Sequence, residues 1–183
     1  MRLKTSQRRL KFKMVTKNLH LGNGRKYMKS DKESEWINID KDGFFKTDII
    51  RDITKGLPFD DDSIDEIYTA HLLEHISPDD IHFVMREMYR VCKDKSLIKI
   101  VVPMGNGWSN FPEHKSPWNK KSWVFFTIWN VPLQTGYNFK DVGHAIIKVP
   151  TEIDEDDESY GEELHFGLEV NKPLEKKDGS NKC

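Results

Sequence analysis

The stretch from Asp65 to Pro103 limits what this chain can fold into more than any other. Asp65-Glu66-Ile67-Tyr68-Thr69 reads as a short strand leading into Ala70-His71. Ser77-Pro78-Asp79-Asp80 then supplies an N-cap serine, a proline at the first helical position and an acidic first turn. Ile81, Val84, Met85, Met88, Tyr89 and Cys92 follow at helical spacing, with Lys93 and Lys95 suited to the C-terminal end. Leu97-Ile98-Lys99-Ile100-Val101-Val102 is a near-continuous β-branched run, the pattern of a strand covered on both faces. Strand, helix and strand in this order make a βαβ unit, which requires a parallel sheet and a right-handed crossover.

Further short strands are predicted on both sides of that unit. Asn18-Leu19-His20-Leu21 ends in Gly22-Asn23-Gly24, Trp36-Ile37-Asn38-Ile39 ends in Asp40, and Ile49-Ile50 runs into Asp52. The first two crossovers are thin: about a dozen residues separate Gly24 from Trp36, and eight lie between Asp40 and Ile49. Parallel crossovers usually need a dozen or more residues and a helix, so the early helices are expected to be reduced or absent. A second helix is expected from near Asn119 through Trp123 and Phe126. Two closing strands, around Ala145–Val149 and Leu164–Val170, form a hairpin joined by an acidic segment.

Charge and cysteine content narrow the class. Residues 1–30 carry ten Lys or Arg and no acid, and residues 151–163 carry eight acids and no base. Residues 1–16 are read as a basic arm, either solvated or touching an anionic surface. Residues 17–183 are read as a single domain, with a mobile acidic loop near 151–163 and a disordered tail over 173–183. With 183 residues, 37% of them hydrophobic and 32% charged, a core can form without metal or disulfide. Cys92 and Cys183 alone cannot build a disulfide framework. No apolar run approaches the ~20 residues of a membrane span, and no apolar stretch follows the basic start. A cytoplasmic setting is therefore expected.

Functional residue types stand at the ends of four predicted strands. Ligands of open parallel sheets bind outside the carboxyl ends of the strands. Gly22 and Gly24 would let a backbone approach a ligand closely, and Asn23 tolerates left-handed geometry; the same three residues also make an ordinary turn. Asp40 lies 18 residues beyond Gly22, an offset at which an acid commonly accepts hydrogen bonds from a ribose diol. It would otherwise be a strand-ending turn residue. Asp52 could accept an adenine amino proton while the Ile53 N–H meets a ring nitrogen, or it caps the turn before Thr54-Lys55-Gly56. His71 follows the fourth strand, where side chains point into the cleft, and imidazole titrates near neutral pH. His114 could reach the same rim or be an exposed loop residue. His71-Leu72-Leu73-Glu74-His75 also matches the H-x-x-E-H pattern of a zinc hydrolase, provided the five residues are helical.

Taken in order, these segments resemble the class I S-adenosylmethionine-dependent methyltransferases, in particular the small type 11-like group. The resemblance rests on Leu19 to Gly24, Trp36 to Asp40, Leu57-Pro58-Phe59 with Ser63 to Tyr68, His71 to His75, and Glu87 through Val102-Pro103. It implies an α/β fold: a Rossmann-like, mostly parallel sheet with a C-terminal antiparallel hairpin. It also implies S-adenosyl-L-methionine as cofactor, with Gly22, Asn23 and Gly24 at its methionine part, Asp40 on the ribose, and Asp52 with Ile53 at the adenine. His71 would line the methyl-transfer cleft as base or acceptor-positioning group, and no metal ligands are assigned. The acceptor is unidentified. The aromatic-rich segment 104–140 either stacks on it or packs as core. No Asp/Asn-Pro-Pro-Tyr motif follows the fourth strand, which favours a small molecule or sugar over nucleic acid. Two readings compete with an active enzyme: a non-catalytic binding or scaffold protein that keeps the fold, and the zinc hydrolase. A homodimer is left open.

Overall fold

The computed structural model describes residues 14–104, 111–127, 137–150 and 160–172. Most of the basic arm, most of the acidic run, the 173–183 tail, Trp108 and Trp129 lie outside the described residues. The strands are β1 (Thr16–Leu21), β2 (Ser34–Asp40), β3 (Ile49–Ile50), β4 (Ile64–Ala70), β5 (Cys92–Met104), β6 (Phe139–Pro150) and β7 (Tyr160–Val170). They form one sheet in the order β3-β2-β1-β4-β5-β7-β6. β1, β2, β3, β4 and β5 pair in parallel, and β7 runs antiparallel to both β5 and β6. This is the expected α/β sheet with a C-terminal hairpin. Strand order reverses between β1 and β4, so the switch point lies at the ends of those two strands.

The crossover from β4 to β5 is helix α1 (Pro78–Val91). The Ser77 hydroxyl accepts from the Asp79 N–H at 3.4 Å, and Pro78 occupies the first turn. Ile81, Val84, Met85, Met88 and Val91 are the buried stripe. Burying such side chains stabilises by about 1.5–3 kcal/mol each. Cys92, expected on the helix, is instead its C-cap and the first residue of β5. The helix is further tied down by Glu87, whose carboxylate accepts from the Leu57 N–H at 2.8 Å. Arg90 donates to Glu87, to Asp61 and to the carbonyls of Leu57 and Phe59.

Neither residues 22–33 nor residues 41–48 contain a helix, as the short crossovers require. Polar bonds hold the first segment in its place. The Asn38 amide donates to the Met28 carbonyl at 2.9 Å, and its oxygen accepts from the Met28 N–H at 2.8 Å. Asp48 accepts from the Asn38 N–H at 2.8 Å and from the Tyr27 hydroxyl at 2.6 Å. His20, buried beneath, approaches the same Asn38 oxygen at 3.3 Å. Burial lowers the His20 pKa, with the Asn38 contact opposing.

The second expected helix is present as α2 (Ser122–Thr127). Around it, Trp118, Trp123, Phe126, Tyr137 and Phe139 are all buried. Trp123 stacks on Trp118 with centroids 4.7 Å apart and on Phe166 of β7 at 4.4 Å. These five rings of the aromatic segment are core, not an acceptor platform; Phe111 is half exposed.

Candidate functional site

A cleft of about 550 Å³ opens at the carboxyl ends of β1, β2 and β4, beside the switch point. That volume is ordinary for a small-molecule site. Its walls include Gly22, Gly24, Asp40, Asp52, Ile53 and His71, so six of the seven residues singled out from the sequence meet in one place. The seventh does not. Asn23 is buried, and its amide donates to the Gly24 and Lys46 carbonyls, both at 2.9 Å. Asn23 braces the turn rather than facing the cleft.

The two glycines differ in what requires them. Gly22 has φ +65°, and a β-carbon there would stand 2.8 Å from the Leu72 Cδ1. Packing under the turn therefore excludes a side chain, whatever the cleft holds. Gly24 has φ +46°, and a β-carbon there would meet nothing within 4 Å. Space beside its backbone is open. The Gly24 N–H donates to one Asp40 oxygen at 2.9 Å, while the Asp42 N–H reaches the other at 3.4 Å. Asp40 is thus held at the end of β2 by short local bonds, with acceptor capacity left on its oxygens.

Asp52 does what a turn cap does. One of its oxygens accepts from the Thr54 hydroxyl at 2.7 Å and from the Thr54 N–H at 2.9 Å, at the start of the 3₁₀ turn Ile53–Lys55. Those two bonds lower its pKa. It nonetheless lines the cleft, so capping and ligand contact are compatible at one carboxylate. Arg51, missed from the sequence, also lines the cleft, and its guanidinium donates to the Gly56 and Lys55 carbonyls. Lys41, Leu72, Glu113 and Lys115 were likewise not anticipated. The last two come from a segment whose approach depends on tertiary contact alone.

His71 sits in the left-handed region, with φ +53°, a conformation uncommon outside glycine and a few polar residues. Its N–H donates to the Val101 carbonyl at 3.0 Å, which fixes the turn against β5. The side chain is half exposed; Nε2 lies 2.8 Å from Glu163, and Nδ1 lies 3.4 Å from Glu74. Glu74 raises the His71 pKa, burial opposes it, and Glu163 adds to the rise. The turn that follows is 3₁₀, spanning Leu73–His75. His71 therefore does not share a helix with His75, and the helical frame needed by the zinc-hydrolase pattern is absent here.

The comparisons with known proteins fit this geometry. The family model described as a methyltransferase domain matches residues 14–100, just under half of the chain. No curated protein matches the chain by sequence. Among solved structures, a SAM-dependent methyltransferase from Methanosarcina mazei superimposes with a TM-score of 0.61 at 13% identity, over 87% of this chain and 94% of that one. A SAM-dependent methyltransferase from Archaeoglobus fulgidus gives 0.58 at 17% identity, over 86% and 87%. A phosphoethanolamine N-methyltransferase from Haemonchus contortus, solved with phosphomonomethylethanolamine and S-adenosylhomocysteine, gives 0.52 at 9% identity, over 88% of this chain and 50% of that one.

Fold and matched domain together define the class: a class I methyltransferase fold. Residues 14–100 match the methyltransferase-domain family, and among the described residues the fold is built with fewer helices than strands. S-adenosylmethionine is the cofactor of this class, and the cleft passes a simple test of fit. It offers an open glycine backbone, an acid held at the end of β2, and a capped turn beside it. Among the described residues no helix is long and apolar enough to cross a membrane.

Proposed function

We propose that this chain transfers a methyl group from S-adenosylmethionine to a small-molecule or sugar acceptor bound at the cleft mouth. The observation that supports this best is the convergence of Gly22, Gly24, Asp40, Asp52, Ile53 and His71 on one cavity at the switch point. The bound cofactor supplies an electrophilic methyl group, and the protein supplies alignment and exclusion of water. Gly22 and Gly24 face the methionine part, and the open side of Gly24 leaves room for it. Asp40 accepts from the ribose hydroxyls. Asp52 and the Ile53 backbone face the adenine.

His71 is the acceptor-side group. Glu163 and Glu74 flank its ring on both nitrogens, which fixes its orientation toward the rim. With both nitrogens paired to carboxylates it positions the acceptor as a charged group; to act as a base it would first have to leave Glu163 and give up a proton, and a positioned general base contributes about 10²–10⁴-fold. In-line alignment contributes about 7–11 kcal/mol in favourable cases.

A thermal unfolding series with S-adenosylhomocysteine tests the reading. Ligand at about 100 times its dissociation constant should add about 2.7 kcal/mol of stability. His71→Ala should show the same gain while losing turnover once an acceptor is found. No stabilisation at millimolar ligand would leave a scaffold that keeps the fold without the cofactor.

A further inference from the structure

Behind the cleft rim, the Glu74 carboxylate is fully buried, and neither of its oxygens accepts a hydrogen bond. Among the described residues, its one close side-chain approach is the His71 Nδ1 at 3.4 Å, a long contact that compensates part of its charge. A fully buried carboxylate held by one long contact is expensive, and a metal ion is one partner able to offset the remaining cost. Two imidazoles lie beside it. The rings of His75 and His114 meet edge to face, with centroids 4.9 Å apart. One ligand atom from each of Glu74, His75 and His114 lies within 4.8 Å of the others.

The backbone builds this cluster independently of the imidazoles. The Glu74 carbonyl accepts from the Lys115 N–H at 2.7 Å and from the Ser116 N–H at 3.0 Å. The Ser116 hydroxyl donates to the Ile76 carbonyl at 2.7 Å. These bonds clamp the 111–118 segment onto the 3₁₀ turn Leu73–His75 and bring His114 to Glu74 from 40 residues away.

We infer that Glu74, His75 and His114 form a binding site for a divalent transition metal, with Zn²⁺ the best match. Two nitrogens and one carboxylate suit Zn²⁺, whereas Mg²⁺ and Ca²⁺ prefer all-oxygen sites. Three protein ligands leave a coordination position for water or a small-molecule donor. His75 lines the cleft together with Glu113 and Lys115, so the site borders the cavity. This ligand set differs from the H-x-x-E-H reading: His71 is replaced by His114, and Glu74 is a ligand rather than a base. The inference does not rest on methyl transfer.

The test uses the full untagged chain, stripped by chelator and dialysed. Zn²⁺ affinity is read by competition with a chromophoric chelator, and Co²⁺ is added separately to read its visible d–d absorption. One tight equivalent of Zn²⁺ is expected, with Co²⁺ bands that Zn²⁺ abolishes. His114→Ala and His75→Ala should each weaken Zn²⁺ binding by at least about tenfold, with circular dichroism unchanged. Glu74→Gln should do the same, while the distant His144→Ala should not. S-adenosylhomocysteine binding, followed in parallel, separates loss of this site from failure of the cofactor reading. The inference is overturned if no tight equivalent binds, if His114→Ala leaves Zn²⁺ affinity unchanged, or if His144→Ala removes it.

Discussion

At the residue scale, two side-chain choices at strand ends carry separate constraints. Gly22 is required by geometry under the turn, because its positive φ and the nearby Leu72 both exclude a β-carbon. Gly22→Ala should therefore destabilise the chain by about 1–2 kcal/mol from the left-handed backbone alone, plus the displacement of Leu72. Urea unfolding of Gly22→Ala in wild-type and Leu72→Ala backgrounds separates these. The cost should be smaller with Leu72 truncated, and an equal cost in both would mean that Leu72 moves aside freely. In the proposed reading, Asp40 is the residue on which ligand affinity depends. Asp40→Ala should cost about 1.5–3 kcal/mol of S-adenosylhomocysteine binding, read by calorimetry. Because the Gly24 N–H also loses its acceptor, Asp40→Asn is the companion variant. It keeps an acceptor for Gly24 and should still lose part of the affinity, while unchanged binding in both would remove Asp40 from the site.

Much of the cleft lining was legible at this scale. Asp40, Asp52 and His71 follow strands, and strand ends in a parallel sheet converge at one rim whatever the details. Asn23 was misplaced because a sequence does not say which way a turn residue points; its amide met the Lys46 carbonyl from the next crossover. Glu113 and Lys115 were invisible because no local pattern announces the bonds from Lys115 and Ser116 to the Glu74 carbonyl.

At the element scale, α1 is specified twice over, by its capped N-terminus and by the Glu87–Arg90 pair that ties it to residues 57–61. The Arg90 hydrogen bonds lower the Glu87 pKa, burial opposes, and the Leu57 N–H lowers it further. The unfolded chain consequently holds a proton on Glu87 more readily than the folded one. Stability from this carboxylate is fully present above its unfolded pKa, near 4.5, and is lost as pH falls through the lower folded value. Glu87→Gln should be less stable than wild type at pH 7 by about 1–3 kcal/mol. The gap should narrow between about pH 5 and about pH 3 in chemical denaturation; a gap independent of pH would show that the charge is not what matters. The helix was readable because cap, proline and apolar stripe agree. The polar stitching of residues 22–33 was not, since Asn38, Asp48 and Tyr27 are ordinary residues until β2 places them together.

At the scale of the whole molecule, strand order sets where the cleft lies. Five parallel strands set the cleft at the β1/β4 switch point, and the antiparallel β6–β7 hairpin closes the far edge. β7 carries Glu163 to His71, so the last strand reaches the rim of the cleft built by the first four. The short β1–β2 and β2–β3 connections announced the missing helices, and the βαβ unit announced the parallel core. The aromatic segment gave no such guidance, because Trp and Phe serve equally as core and as stacking surface; burial assigns Trp118 and Trp123 to the core.

The most direct test is the crystal structure of the chain with S-adenosylhomocysteine. The account predicts the nucleoside in the cleft at the ends of β1, β2 and β4, with the Asp40 carboxylate on the ribose hydroxyls and the adenine beside Asp52 and Ile53. An empty cleft at saturating ligand, or a nucleoside bound away from Asp40, would contradict it.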